Sequence, residues 1–128
     1  MKSEEKMNRL LIVDDALIMR MKISEVAKRA GWDVVGQAKN GLEAVAMYQE
    51  LQPDLVTMDM VMPEIDGLAA LEAIRTVSPA AKIVMISAVN QKEKLRRSIE
   101  LGAIDFIVKP FDPEELKHFL EVQKQTSA

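Results

Sequence analysis

The stretch LLIVDDAL, residues 10–17, sets four apolar residues directly against two adjacent aspartates. Together with Arg9, residues Leu10, Leu11, Ile12 and Val13 form an apolar run too short for a helix and without polar alternation. That is the pattern of a strand covered on both faces, as in a parallel sheet. Asp14 and Asp15 end the run with like charges side by side, and carboxylates in partly apolar surroundings repel and resist ionisation. A strand with such a tip needs a counter-charge brought to it.

Similar runs recur along the chain: DVVGQA (Asp33–Ala38), DLVTM (54–58), KIVMI (82–86) and DFIV (105–108). Between them lie stretches with helical spacing. The stripes are Met19, Ile23, Val26, Ala27 and Ala30; Leu42, Val45 and Ala46; Leu68, Leu71 and Ile74; Leu95 and Ile99; and Leu116, Phe119 and Leu120. Gly31 is placed to end the first helix in a left-handed cap. Asp66 and Asn90 are expected N-caps, the latter with Glu93 three residues on, and DPEE (112–115) reads as N-cap, proline and first-turn acids. Five strands alternating with five helices, joined by right-handed crossovers, predict an α/β fold: a doubly wound five-stranded parallel sheet in a three-layer sandwich.

The bulk numbers agree with one domain of that kind. The chain has 128 residues, 48% of them apolar, and a net charge of −3. Such a charge gives no strong pull toward nucleic acid or an anionic membrane surface. With no cysteine, disulfides and thiolate chemistry are excluded. No apolar run is long enough to span a bilayer, and the amino-terminal stretch does not read as a secretion signal, so a cytoplasmic location is expected. The domain is expected over residues 7–124, with residues 1–6 and 125–128 frayed.

In open α/β sheets ligands bind beyond the carboxyl ends of the strands. The first strand ends in Asp14 and Asp15, the third in Asp59, the fourth in Ser87, and the fifth in Lys109 followed by Pro110. Each alone has an ordinary reading: Asp15 as a helix cap, Asp59 as a turn residue, Ser87 as a loop cap, Lys109 as a solvated lysine. Together they bring three carboxylates, a hydroxyl and one ammonium to one edge. Two like charges about 4 Å apart repel by roughly 4 kcal/mol at an effective dielectric near 20. A divalent cation relieves that, and an all-oxygen donor set points to Mg²⁺, or Mn²⁺ in its place. A phosphoryl group at such an ion would find Lys109 and Ser87 for its remaining oxygens, and Asp59 as nucleophile.

LLIVDDA, PDLVTMDMVMPEIDG, IVMISA and GAIDFIVKPF closely resemble the receiver domains of two-component response regulators, over almost the whole chain. Their wording is nearest to the single-domain, CheY-like chemotaxis members of that family. The resemblance implies a flavodoxin-like sheet of order 2-1-3-4-5. It implies Asp59 as phosphoacceptor, and Asp14, Asp15, Asp59 and the main-chain carbonyl of Val61 as metal ligands. It further implies Ser87 and Lys109 as phosphoryl contacts, a cis Lys109–Pro110 bond, and Ser87 with Phe106 as a switch pair. The implied function is a phosphoacceptor signalling switch that catalyses only its own phosphorylation and dephosphorylation. The implied partners are a sensor histidine kinase of the CheA type, a target such as the flagellar motor switch, and a phosphatase. A stand-alone monomer acting by protein contact is expected; the alternatives are a phosphorelay intermediate or a fragment of a larger regulator. An aspartate-nucleophile phosphohydrolase would need Asp-x-Asp after the first strand, and a flavin module would need a Ser/Thr/Gly-rich loop there. VDDAL fits neither.

Several further residues carry expectations. Phe106 has the plain reading of a core aromatic on the last strand. Lys92, Lys94, Arg96 and Arg97 read as a solvated helix face, His118 as exposed, and Trp32 as packing. Val61 and Val89, two residues beyond Asp59 and Ser87, are apolar where polar groups could orient an attacking water. Slow spontaneous loss of phosphate is therefore expected.

Overall fold

The computed structural model describes residues 8–88 and 90–124. The termini expected to fray, and Val89, lie outside the described residues. The elements alternate strictly: β1 (Arg9–Val13), α1 (Leu17–Arg29), β2 (Asp33–Ala38), α2 (Gly41–Leu51), β3 (Leu55–Asp59), α3 (Gly67–Val77), β4 (Ile83–Ala88), α4 (Lys92–Glu100), β5 (Asp105–Lys109) and α5 (Pro113–Gln123). All strand pairs are parallel and the sheet order is β2-β1-β3-β4-β5. Among the described residues no helix is long and apolar enough to cross a membrane.

Alternation along the strands divides the interior in two. Leu10 and Ile12 of β1, Leu55 of β3, and Val84 and Ile86 of β4 pack with Ile23, Val26, Leu116 and Leu120 of α1 and α5. Leu11, Val13, Val56, Met58, Ile83 and Met85 point the other way, onto Ala44, Tyr48, Leu71, Ile74 and Leu95 of α2, α3 and α4. β1, β3 and β4 are therefore sandwiched on both faces, which is why their sequences do not alternate.

Helix ends follow side-chain chemistry at most positions. Asn40, Asp66 and Asp112 each accept from a backbone N–H of the following turn. Gly31 has φ +90°, and the Trp32 N–H returns to the Ala27 carbonyl at 2.9 Å, closing α1 in a left-handed cap. Asn90 does not cap α4. Gln91 occupies that position without a side-chain capping bond, its Nε2 donating instead to Asn90 Oδ1 at 3.4 Å, and Glu93 is taken by Arg96 at 2.7 Å. An ion pair one turn away outcompetes the expected reciprocal cap.

The α2 stripe is also out of phase with the expectation. Leu42 is 57% exposed and Ala46 is exposed, while Gly41, Ala44 and Tyr48 are buried. Asn40 fixes the start of the helix, and Gly41 then lies so close to Ile65 that no β-carbon fits. At the start of the helix Gly41 and Ala44, not Leu42, face inward, while Val45 of the expected stripe packs partly buried against the core. In α4, Ser98 is buried in place of Ile99, its hydroxyl returned to the Leu95 carbonyl at 2.6 Å.

Among the described residues two buried hydroxyls have no hydrogen-bond partner, that of Ser87 at the strand ends and that of Thr57 inside the core. Thr57 is fully buried between Ile12 and Val84 in register, and its hydroxyl makes no hydrogen bond. A buried unsatisfied hydroxyl costs on the order of 1–3 kcal/mol. Thr57→Val keeps the β-branched shape and is expected to raise unfolding stability by about 1 kcal/mol. Urea denaturation checks this; a loss of stability would show that the hydroxyl has a use in the fold.

Candidate functional site

Because all five strands run parallel, their carboxyl ends share one edge. Asp14 follows β1, Asp59 closes β3, Ser87 lies one residue beyond the register partner of Asp59, and Lys109 ends β5. Carboxylate oxygens of Asp14, Asp15 and Asp59 lie within 4.8 Å of one another. Lys109 Nζ bridges two of them, 3.2 Å from Asp14 Oδ2 and 3.1 Å from Asp59 Oδ1. Asp14 and Asp59 are buried, whereas Asp15 is exposed at the mouth. Asp14 Oδ1 accepts from the Ala16 N–H at 2.9 Å, so Asp14 and not Asp15 turns the chain into α1.

The electrostatics of this cluster are unbalanced. Burial, followed by repulsion from Asp14, pushes the Asp59 carboxyl up to about 6; Lys109 opposes this and Asp15 adds to it. Burial works to lower the Lys109 pKa, but attraction from Asp59 and Asp14 overrides it and holds the ammonium above its usual value. Lys109 thus stays charged, and one ammonium does not satisfy three carboxylates. The Ser87 hydroxyl is buried beside them with no hydrogen-bond partner.

The β3–α3 loop folds tightly over the Asp59 backbone. The Gly67 N–H donates to the Met60 carbonyl at 2.8 Å, and a β-carbon on Gly67 would stand 2.1 Å from the Asp59 carbonyl oxygen. Only a hydrogen side chain permits this approach. Within the loop, Met62 is buried and Val61 is 52% exposed at the mouth. The Lys109–Pro110 peptide is cis.

Sequence reasoning passed over one residue at this edge. Arg20, one turn into α1, donates from Nη1 to the Asp14 main-chain carbonyl at 2.8 Å. Because the acceptor is main chain, no side-chain pattern in the sequence signals it. Phe106 departs from the core reading: it is 40% exposed on β5, alongside Val108. Arg96 pairs with Glu93 and Glu100, which suits the solvated face expected of α4, and His118 is exposed.

Residues 10–121 match the family model of the response regulator receiver domain. The chain belongs to the response regulator receiver family. This receiver is 49% identical over 108 residues to the chemotaxis protein CheY of Thermotoga maritima, covering 84% of this chain and 90% of that protein. It is also 49% identical over 115 residues to CheY of Listeria monocytogenes, covering 90% and 97%. A similar solved structure is the CheX–CheY–BeF3–Mg complex of Borrelia burgdorferi, with a TM-score of 0.83 and 32% identity over 89% of this chain and 87% of that one. The acidic cluster of the receiver matches the aspartyl-phosphorylation site of such proteins. Its donors suit Mg²⁺: three carboxylates, all hard oxygens, gathered within one ion's reach and short of positive charge. Receivers of this kind modify themselves and do not turn over a separate substrate.

Proposed function

We propose that this receiver takes a phosphoryl group from the phosphohistidine of a sensor kinase onto Asp59, in the cytoplasm, and relays it as a change of surface in a chemotaxis pathway. The observation that carries the reading is the convergence of Asp14, Asp15 and Asp59 with a lysine held between two of them. In the transfer, an Asp59 carboxylate oxygen attacks phosphorus and the phosphorus–nitrogen bond breaks. The histidine of the kinase leaves with that electron pair. Asp14, Asp15, Asp59 and the Val61 carbonyl would hold Mg²⁺, which supplies the charge neutralisation that a phosphoryl group needs among carboxylates. Lys109 balances charge on one phosphoryl oxygen, and the unpartnered Ser87 hydroxyl donates to another. Val61 and Val89 leave an attacking water without a polar guide, so spontaneous loss of the phosphate is slow and a separate phosphatase ends the signal.

The output reading rests on the far side of Ser87. Leu95, Ile99, Phe106 and Val108 line a groove of about 510 Å³ between α4 and β5, with Lys92, Arg96 and Glu100 around it. Movement of the Ser87 hydroxyl toward the phosphoryl group makes room for Phe106 to turn inward, changing the α4–β5–α5 face. A phenylalanine has no hydroxyl, so packing alone holds its inward position. The partners are a CheA-type kinase and a target such as the flagellar motor switch, supported by the 49% identity to two CheY proteins.

Incubation with acetyl phosphate should add one phosphate by intact mass, mapping to the peptide that holds Asp59, and only when Mg²⁺ is present. Phosphate uptake in chelator, or its appearance on another residue, would refute the reading.

A further inference from the structure

We propose that Arg20 is a positioning residue for the divalent cation, acting through the peptide that joins Asp14 to Asp15; this rests on the function proposed above. Asp14 is held at every polar atom. Its N–H donates to the Ala38 carbonyl at 3.0 Å, its carbonyl accepts from Arg20 at 2.8 Å, Oδ1 accepts from the Ala16 N–H, and Oδ2 from Lys109. Asp15 has the opposite character. It is exposed, and among the described residues nothing hydrogen-bonds its carboxylate. With no partner of its own, the place from which it reaches the ion is set by the Asp14–Asp15 peptide, and the Arg20 bond to that peptide's carbonyl holds the plane.

The guanidinium is itself anchored. Arg20 Nε donates to Gln37 Oε1 on β2 at 3.3 Å, and the main chain beneath it is held by the first turn of α1, where the Arg20 backbone N–H donates to the Ala16 carbonyl at 3.0 Å. One side chain thus ties α1, the β1–α1 turn and β2 together directly behind two of the acids. An arginine suits this better than a lysine, because its planar fork serves two acceptors at fixed angles.

Position and charge make opposite demands here, which makes the role testable. A cation near the acids repels an incoming divalent ion. If charge were the whole of its effect, removing Arg20 would tighten metal binding. If Arg20 positions Asp15, removing it weakens binding even though a repelling charge is gone.

The experiment measures Mn²⁺ binding by electron paramagnetic resonance, and in parallel the Mg²⁺ dependence of phosphorylation by acetyl phosphate, in wild type, Arg20→Met, Arg20→Lys and Gln37→Ala. Arg20→Met is expected to weaken Mn²⁺ binding about tenfold, the usual scale for removing a group that orients a ligand. The Mg²⁺ concentration for half-maximal phosphorylation should rise in step, and high Mg²⁺ should restore most of the rate. Arg20→Lys, which keeps one bond to the carbonyl, should fall between, and Gln37→Ala should show a smaller loss of the same kind. Unchanged or tighter Mn²⁺ binding in folded Arg20→Met overturns the inference. Should that variant fail to fold, unchanged binding in both Gln37→Ala and Arg20→Lys overturns it equally. A wild type that binds Mn²⁺ but takes no phosphate defeats the proposed function, whereas normal wild-type uptake with indifferent variants defeats only the role of Arg20.

Discussion

Asp59→Asn is expected to take up no phosphate and yet to unfold later than the wild type in magnesium-free buffer at pH 8. The Asp59 carboxyl sits near 6 in the folded protein, against 3.8 for an ordinary aspartate, because burial and Asp14 disfavour its charge. Between those two pH values the folded chain holds more protons than the unfolded one. Stability therefore falls as pH rises through that window and stays low above it. The shift corresponds to roughly 3 kcal/mol at most, and about 2 kcal/mol allowing for hydration at the mouth. Asparagine removes the penalty while its carbonyl oxygen still accepts from Lys109. The variant should gain about 2 kcal/mol over wild type at pH 8, nothing near pH 4, and should respond less to added Mg²⁺. Urea unfolding across pH 4–8 tests this, and parallel stability curves for the two proteins would contradict it.

The second large effect is steric. In Gly67→Ala the new methyl would meet the Asp59 carbonyl oxygen at 2.1 Å and the Met60 Cα at 2.9 Å. Neither is the end of a flexible side chain, so the loop or the strand end must move. The cost is expected at about 3 kcal/mol or more, at the top of the range for overpacking. Because the atom struck belongs to Asp59 itself, phosphorylation should slow by about a hundredfold as well. Gly31→Ala is the control. Its φ of +90° also penalises a side chain, but it lies at the opposite edge of the sheet and should cost stability without slowing the reaction. Equal slowing in both variants would indicate general loosening, not displacement of Asp59.

The acids and the lysine were legible in the sequence because topology alone places them. Once residues 10–13 read as a buried parallel strand, the tips of β1, β3, β4 and β5 had to meet, and Asp14, Asp59, Ser87 and Lys109 were the residues found there. Arg20 was not legible in that way. Its acceptor is a main-chain carbonyl, which leaves no mark in the side-chain pattern. The phase of α2 failed for a related reason. Leu42 looks like a core residue until Gly41 is seen pressed against Ile65, a contact set by the β3–α3 loop and not by the helix. Asn90 and Glu93 matched a capping pattern, but Arg96 offered Glu93 a closer charge. Local patterns yielded where another contact, from the β3–α3 loop in α2 or from the next turn of the same helix in α4, held the better partner.

The lone indole of the chain is seated at the amino-terminal edge of the sheet, with Trp32 Nε1 donating to the Leu120 carbonyl at 2.7 Å in the buried seam between α1 and α5. The acids gather at the other edge, about one strand length away, or roughly 15–20 Å. Its emission should accordingly follow the opening of that seam and ignore what docks among the carboxylates. The molecule carries its own optical thermometer of global integrity, insulated from its signalling chemistry.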